Sequence, residues 1–214
     1  KGTLVLDAPL LIGAGGSGAG NEIDTEVLKT KAGQPFIPGT SLAGALRDFM
    51  TAENALGMRL LFGTEAAYER QHNAAWQSSI RIDDIKLNNV EIVVRDGVGI
   101  ADFARTSLAG RKYNYEAVER GAKGRLRMTV TVRRAHAEKG LEEAVQTLAD
   151  RLAAGVRLGA LTAKGFGKVS AADVRISTYD FSDFDDVRRW LFRKDAKCIA
   201  HGNKAAGKKR AGTF

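Results

Sequence analysis

From Arg125 to Arg133 the chain alternates strictly. Leu126, Met128, Val130 and Val132 fall on one side, and Arg125, Arg127, Thr129, Thr131 and Arg133 on the other. This pattern predicts a strand with one buried and one wet face, the latter basic and hydroxyl-bearing. Leu141, Val145, Leu148 and Leu152 then recur at helical spacing, predicting a helix over about Glu138 to Ala154 that stops before Gly155. A strand returns over Val169 to Ile176, and a short helix near Asp185 to Phe192 follows. At 214 residues and 44% hydrophobic, the chain can bury the core of one globular domain.

The N-terminal half adds the same kinds of element around unusual loops. Thr3 to Leu6 read as a strand, and Gly13, Gly15, Gly16, Gly18 and Gly20 then form a tightly curved or mobile loop. No helical period opens after these glycines, so they are not a dinucleotide fingerprint. The next helix starts after Pro35-Phe36-Ile37-Pro38-Gly39, with Thr40 and Ser41 suited to cap it and Leu42, Ala45, Leu46, Phe49 and Met50 on its apolar face. Its first-turn amides and hydroxyls could receive an anion, although most well-capped helices bind none. One or two short helices fit Ala55 to Trp76. Ile80 and Ile82 alternate, the phase slips at Asp83-Asp84, and Ile85 and Leu87 alternate again. A bulge explains the paired aspartates better than a metal site, because adjacent strand residues point to opposite faces.

Net charge is +8, which suggests a polyanionic partner, but Lys204, Lys208, Lys209 and Arg210 in an acid-free tail supply half of it. Two internal segments are more telling. Arg95 to Gly121 interleaves Arg95, Arg105, Arg111, Lys112 and Arg120 with Phe103, Tyr113 and Tyr115, as single-stranded nucleic acid would require, or as a hairpin with locally packed tyrosines would show. Gly159 to Val169 combines glycines with Lys164, Phe166 and Lys168, a loop in which amides and ammonium groups can approach phosphate. Cys198 is the only cysteine, so an internal disulfide is excluded, and no run of 18 apolar residues exists. Export and membrane insertion are therefore not expected, and the cytoplasm is. Residue 1 is Lys, as in a processed product or one segment of a longer polypeptide.

Four of these segments, in order, resemble the RAMP superfamily, in particular the backbone subunits of type III CRISPR effector complexes. They are the glycine-rich loop with Asn21-Glu22-Ile23-Asp24, the Phe36-Ile37-Pro38-Gly39-Thr40-Ser41-Leu42 helix start, Arg95-Asp96-Gly97-Val98-Gly99-Ile100, and Gly165-Phe166-Gly167-Lys168-Val169. The resemblance implies an α+β fold: an RRM-like, ferredoxin-like antiparallel sheet with helices on one face, and a thumb hairpin inserted at about 95–121. It implies a single domain over 1–200 and a basic tail or linker over 201–214. By position Asp24 corresponds to the family's cleaving aspartate and would hold Mg²⁺ or another divalent metal. Gly15, Gly16, Thr40, Ser41, Arg47, Lys164, Gly165, Phe166, Gly167 and Lys168 would grip guide-RNA phosphates, and Arg105, Tyr113 and Tyr115 would belong to the thumb. Implied partners are a guide RNA, a target RNA and other RAMP subunits or domains, in an antiviral ribonucleoprotein. The sequence departs from the pattern at Ala43, where related proteins often carry a lysine, leaving Arg47 to supply that contact.

Three functions follow from these residues. In the first, Asp24 assists attack of a ribose 2′-hydroxyl on the adjacent phosphate of target RNA. In the second, the subunit is a guide-binding scaffold and Asp24 is a turn residue. The third is a stand-alone guide-processing nuclease using histidine acid–base chemistry. Its candidates, His72, His136 and His201, all lie outside the glycine loops.

Overall fold

The computed structural model describes residues 1–15, 23–100, 107–137, 139–192 and 198–200. Strand β1 (Gly2–Leu6) runs antiparallel to β7 (Lys123–Leu126) on one side and to β10 (Lys168–Ala172) on the other. Beyond β7 lie β4 (Ile85–Asn88) and β2 (Phe36–Ile37), and beyond β10 lies β9 (Val156–Arg157). Helix α1 (Gly39–Glu53) lies between β1 and β4 in the chain, and α5 (Leu141–Ala154) between β7 and β10. The inner order β10-β1-β7-β4 with these two helices is the ferredoxin-like βαββαβ arrangement, an α+β fold.

One side chain in two along these strands is buried: Leu4 and Leu6, Ile85 and Leu87, Val169 and Ala171. The helices meet this layer with Leu42, Leu46 and Met50 from α1 and Leu141, Ala144, Leu148 and Leu152 from α5. Burying each such leucine contributes about 1.5–3 kcal/mol, against about 1 kcal/mol for a typical helix cap. Helix α2 (Ala55–Phe62) packs on α1 and α5, and a Cβ on Gly57 would stand 2.8 Å from that of Ala144. Helix α3 (Ala66–His72) follows. The helix expected from about Glu138 begins at Leu141, because Gly140 turns at φ 82° and separates it from the short α4 (Arg134–Ala137).

Two expectations change in detail. The strand read through Leu126 to Val132 divides at Arg127: β7 stays in the main sheet, whereas β8 (Met128–Val130) pairs with β3 (Ile80–Ile82). The partner strand slips at the same level, between β3 and β4, and the Asp83 N–H donates to the Arg127 carbonyl at 3.1 Å. Asp83 and Asp84 have separate tasks there, as a bulge requires. Asp83 lies 3.5 Å from Arg81 and 3.7 Å from Arg127, while Asp84 accepts the Gly39 N–H at 2.8 Å. Helix α1 therefore starts at Gly39 rather than at Thr40 or Ser41. Pro38 occupies its N-cap without a side-chain bond, and a remote carboxylate does the capping.

The inserted hairpin consists of β5 (Ile92–Ile100) and β6 (Ser107–Val118), in register from Ile92 opposite Val118 to Val98 opposite Lys112. The described residues up to Ala172 form one compact unit and those from Asp173 on another. Within the second, β11 (Arg175–Ser177) pairs with β12 (Cys198–Ala200). There α6 (Phe184–Leu191) is capped by Asp183, and Arg189 binds Asp186 at 2.8 Å. The strand expected over Val169 to Ile176 ends at Ala172, before Asp173 turns at φ 53°.

Candidate nucleic-acid interface

The first glycine-rich loop stands on a narrow ribbon. Ile12 accepts from Leu28 at 2.8 Å and Ala14 donates to Glu26 at 3.0 Å, so residues on either side of the loop run antiparallel. The returning arm lies along β6: Thr25 bridges Tyr115 in parallel, and the Glu116 N–H donates to the Thr25 carbonyl at 2.9 Å. Glu116 fixes this arm from its side chain as well, accepting the Val27 N–H at 2.9 Å and pairing with the Lys29 ammonium at 2.9 Å.

Asp24 is the exposed residue at the top of that arm. Its N–H donates to Asn114 Oδ1 at 2.8 Å, and its own Oδ2 accepts the Asn114 N–H at 2.8 Å. The reciprocal pair fixes the carboxylate's position, and Oδ1 has no protein partner among the described residues. Asp24 can therefore present one oriented oxygen to a cation or to RNA. No group of three carboxylate, histidine or cysteine side chains able to cage a metal exists among the described residues. An ion at Asp24 would take its other ligands from nucleic acid and water, which suits Mg²⁺.

The second glycine loop closes on the same stretch of the hairpin. Gly167 donates to the Pro9 carbonyl at 2.8 Å and Ala160 to the Leu11 carbonyl at 2.8 Å, which ties residues 159–167 to the chain leading into the first loop. Gly167 has φ 77°, and a Cβ there would lie 2.0 Å from the Leu158 carbonyl oxygen. Gly165 has φ 90° but open space around it. Phe166 is only 7% exposed and packs edge-on against Tyr115, with the Arg95 guanidinium 5.3 Å from its ring centre. Arg95 is anchored in turn by Glu119. Lys164 is exposed, and its ammonium reaches the Tyr113 hydroxyl at 3.3 Å. Tyr113 stacks on Tyr115 at 5.9 Å and covers Gly97, its cross-strand partner.

Asp24, Lys164, Gly165, Phe166, Gly167, Tyr113 and Tyr115 thus gather midway along the hairpin, where residues 113–115 of β6 face residues 95–97 of β5. Tyr115 and Phe166 are buried in local packing, the second of the two roles the sequence allowed for the tyrosines, and so position the loop rather than offer a stacking surface. Lys168 is exposed at the start of β10. Gly15 turns at φ 72° just before the described chain breaks off, and Gly16 and Arg105 lie outside the described residues. No described contact brings Thr40, Ser41 or Arg47 into this group. The α1 start belongs to the β2–β4 edge, one of its amides already serves Asp84, and Arg47 is 3.8 Å from Glu65.

His72 stacks on Tyr68 at 4.0 Å, and His136 is buried beside Trp76 at 5.5 Å. Both belong to the helical side of the fold, and His201 lies outside the described residues. Burial, together with Lys139 and Arg133, lowers the His136 pKa from its ordinary 6.5. Sequence reading missed Asn114, Glu116 and Lys29. The available signal was an acid and an amide set among the cations and rings of the hairpin.

These features define a class: a ferredoxin-like domain with an inserted hairpin, along which the second glycine loop and the arm bearing Asp24 are both held. The sequence matches the RAMP superfamily over residues 3–170. The chain belongs to that superfamily. Among solved structures it is similar to a chain in a cryo-EM structure of the type III-B Cmr-beta complex bound to cognate target RNA. There the TM-score is 0.62 at 11% identity, covering 79% of this chain and 95% of that one. A chain of the apo-state Cmr-beta structure gives a TM-score of 0.60 at 11% identity, with 80% and 95% covered. No curated protein matches the sequence.

Proposed function

We propose that this chain is a guide-RNA-binding backbone subunit of a type III CRISPR ribonucleoprotein, and that Asp24 cleaves the target RNA held beside it. The observation that carries the reading is the placement of Asp24. A carboxylate fixed by Asn114, with one oxygen toward solvent, stands midway along a hairpin where Lys164 and the second glycine loop also converge. Membership of the RAMP superfamily and likeness to chains of a Cmr-beta complex support the setting. Partners on this reading are guide RNA, target RNA and further RAMP subunits.

In the reaction, a ribose 2′-oxygen forms a bond to the neighbouring phosphorus as the bond to the 5′-oxygen breaks; the 2′-proton passes to solvent and the leaving 5′-oxygen takes one up from it, giving a 2′,3′-cyclic phosphate and a 5′-hydroxyl. Asp24 Oδ1 would hold a divalent cation such as Mg²⁺, which when bound neutralises charge developing on the phosphate. The chain's own contribution is positional. Asn114 sets the carboxylate, Glu116 sets the arm that bears it, and Gly165 and Lys164 offer an open backbone and a cation for phosphate.

Asp24→Ala is expected to abolish target cleavage in the assembled complex while assembly and RNA affinity stay nearly unchanged. Unaltered cutting at the adjacent site would remove the enzymatic claim and leave the scaffold reading. The Asp24–Asn114 pair favours that second reading to the extent that closing the loop is its only task. Sequencing RNA that copurifies with the native complex tests the setting itself, because repeat-derived guides are expected.

A further inference from the structure

The central sheet has a second face, turned away from α1 and α5. Its outward positions include Lys86 on β4, Lys123 and Arg125 on β7, Lys168 on β10 and Arg157 on β9, all exposed. None of the six strands places an acidic residue outward. The register gathers these cations into one band. The β4–β7 pairing that sets Asn88 against Lys123 places Lys86 beside Arg125. Val5 on β1 links Lys123 to Ser170, and Lys168 stands opposite Arg157. From β4 to β9 the band crosses about 19 Å, four spacings of 4.7–4.9 Å.

Lys86, Lys123, Arg125 and Lys168 make no ion pair among the described residues. Asp7, just beyond β1, accepts the Ser170 hydroxyl at 3.1 Å and is the nearby acid. Like charges held together on rigid strands repel, and a polyanion laid across them removes that repulsion. Two observations identify the polyanion. At its β9 end the band holds Lys168, the residue directly after the second glycine loop, and Arg157, which donates to the carbonyl of Phe166 in that loop at 3.2 Å. Its middle is made of Thr3, Val5 and Ser170, with no outward ring between β4 and β9, so it offers cations to phosphates and no platform to bases.

We infer that the open sheet face is a phosphate track for RNA, continuing from the second glycine loop across β10, β1 and β7 toward the β2–β4 edge where α1 begins. The inference rests on the RNA-binding reading of the glycine-loop site, and it joins the two parts of that site which no direct contact connects.

The test is binding of a mixed-sequence single-stranded RNA to the full chain with Lys86→Ala, Lys123→Ala and Arg125→Ala combined. All three side chains are exposed, and a thermal melt checks that the fold is kept. Losing three phosphate contacts should flatten the dependence of log affinity on log salt by about 2. Affinity would then fall roughly a hundredfold at about 0.1 M salt and converge with the parent near 1 M. Unchanged RNA affinity in the triple variant, with Lys164→Ala weakened, overturns the track and leaves the loop reading standing. Weakened binding in the triple variant with none in Lys164→Ala supports the track against the loop. No RNA binding by the parent chain overturns both. Binding of a poly-glutamate peptide that is lost in the triple variant, without a change for RNA, assigns the face to an acidic protein and overturns the proposal.

Discussion

At Gly167 a single hydrogen atom decides whether the second loop can close. The left-handed backbone already disfavours a side chain, and the Leu158 carbonyl occupies the space a Cβ would take. Asp24 and Asn114 are the complementary case, where two polar residues ninety positions apart satisfy each other in both directions. Asp24 was legible from its place after the glycines. Asn114 was not, because nothing local in a sequence says which distant backbone will turn its edge toward a given loop. His136 carries a consequence for pH. Its folded-state pKa lies below the unfolded value of 6.5, so burial favours the neutral ring. The unfolded chain therefore takes up the proton first, and stability present above pH 6.5 is lost as pH falls through the folded-state value. The melting temperature should drop between about pH 7 and pH 5, and His136→Phe should flatten that drop. An equally steep acid limb in the variant would assign it to other groups.

Among the elements, the hairpin β5–β6 acts as a splint for the Asp24 arm. Glu116 is the key contact, because one carboxylate receives both the Val27 amide and the Lys29 ammonium. Glu116→Ala leaves both unpaired in a half-buried setting, a loss of about 1–3 kcal/mol. Hydrogen exchange is expected to speed up at the amides of residues 25–28, and target cleavage to fall, with the helices unaffected. Unchanged protection there would mean that the Thr25–Tyr115 bridge alone holds the arm. Elements with strong periodicity were readable: α1, α5, β4 and the short helices all lie near their expected places. The division at Arg127 was hidden because alternation runs unbroken from β7 into β8 while the pairing partner changes from β4 to β3. The slip at Asp83-Asp84 marked the same kink on the opposite strand. The cap on α1 was misplaced for a similar reason, since Asp84 reaches it from across the fold.

For the molecule as a whole, the strand order β10-β1-β7-β4 could not be derived from periodicity, which says nothing about neighbours. It was anticipated from the ordered set of glycine segments and is present in the structure. Where the chain's contacts to RNA are cations and amides, affinity should fall as salt rises and should not depend on base sequence. Anisotropy titrations with homopolymer RNAs check this, and a strong preference for one base would count against a subunit that follows the backbone. No helix among the described residues is long and apolar enough to cross a membrane. The main sheet ends in β2 and β9, strands of two residues each. Borders so short give a neighbouring copy almost no main-chain ladder to extend. Copies brought side by side would therefore not fuse into a continuous sheet through these edges, and the spacing between them would be left to side chains and loops.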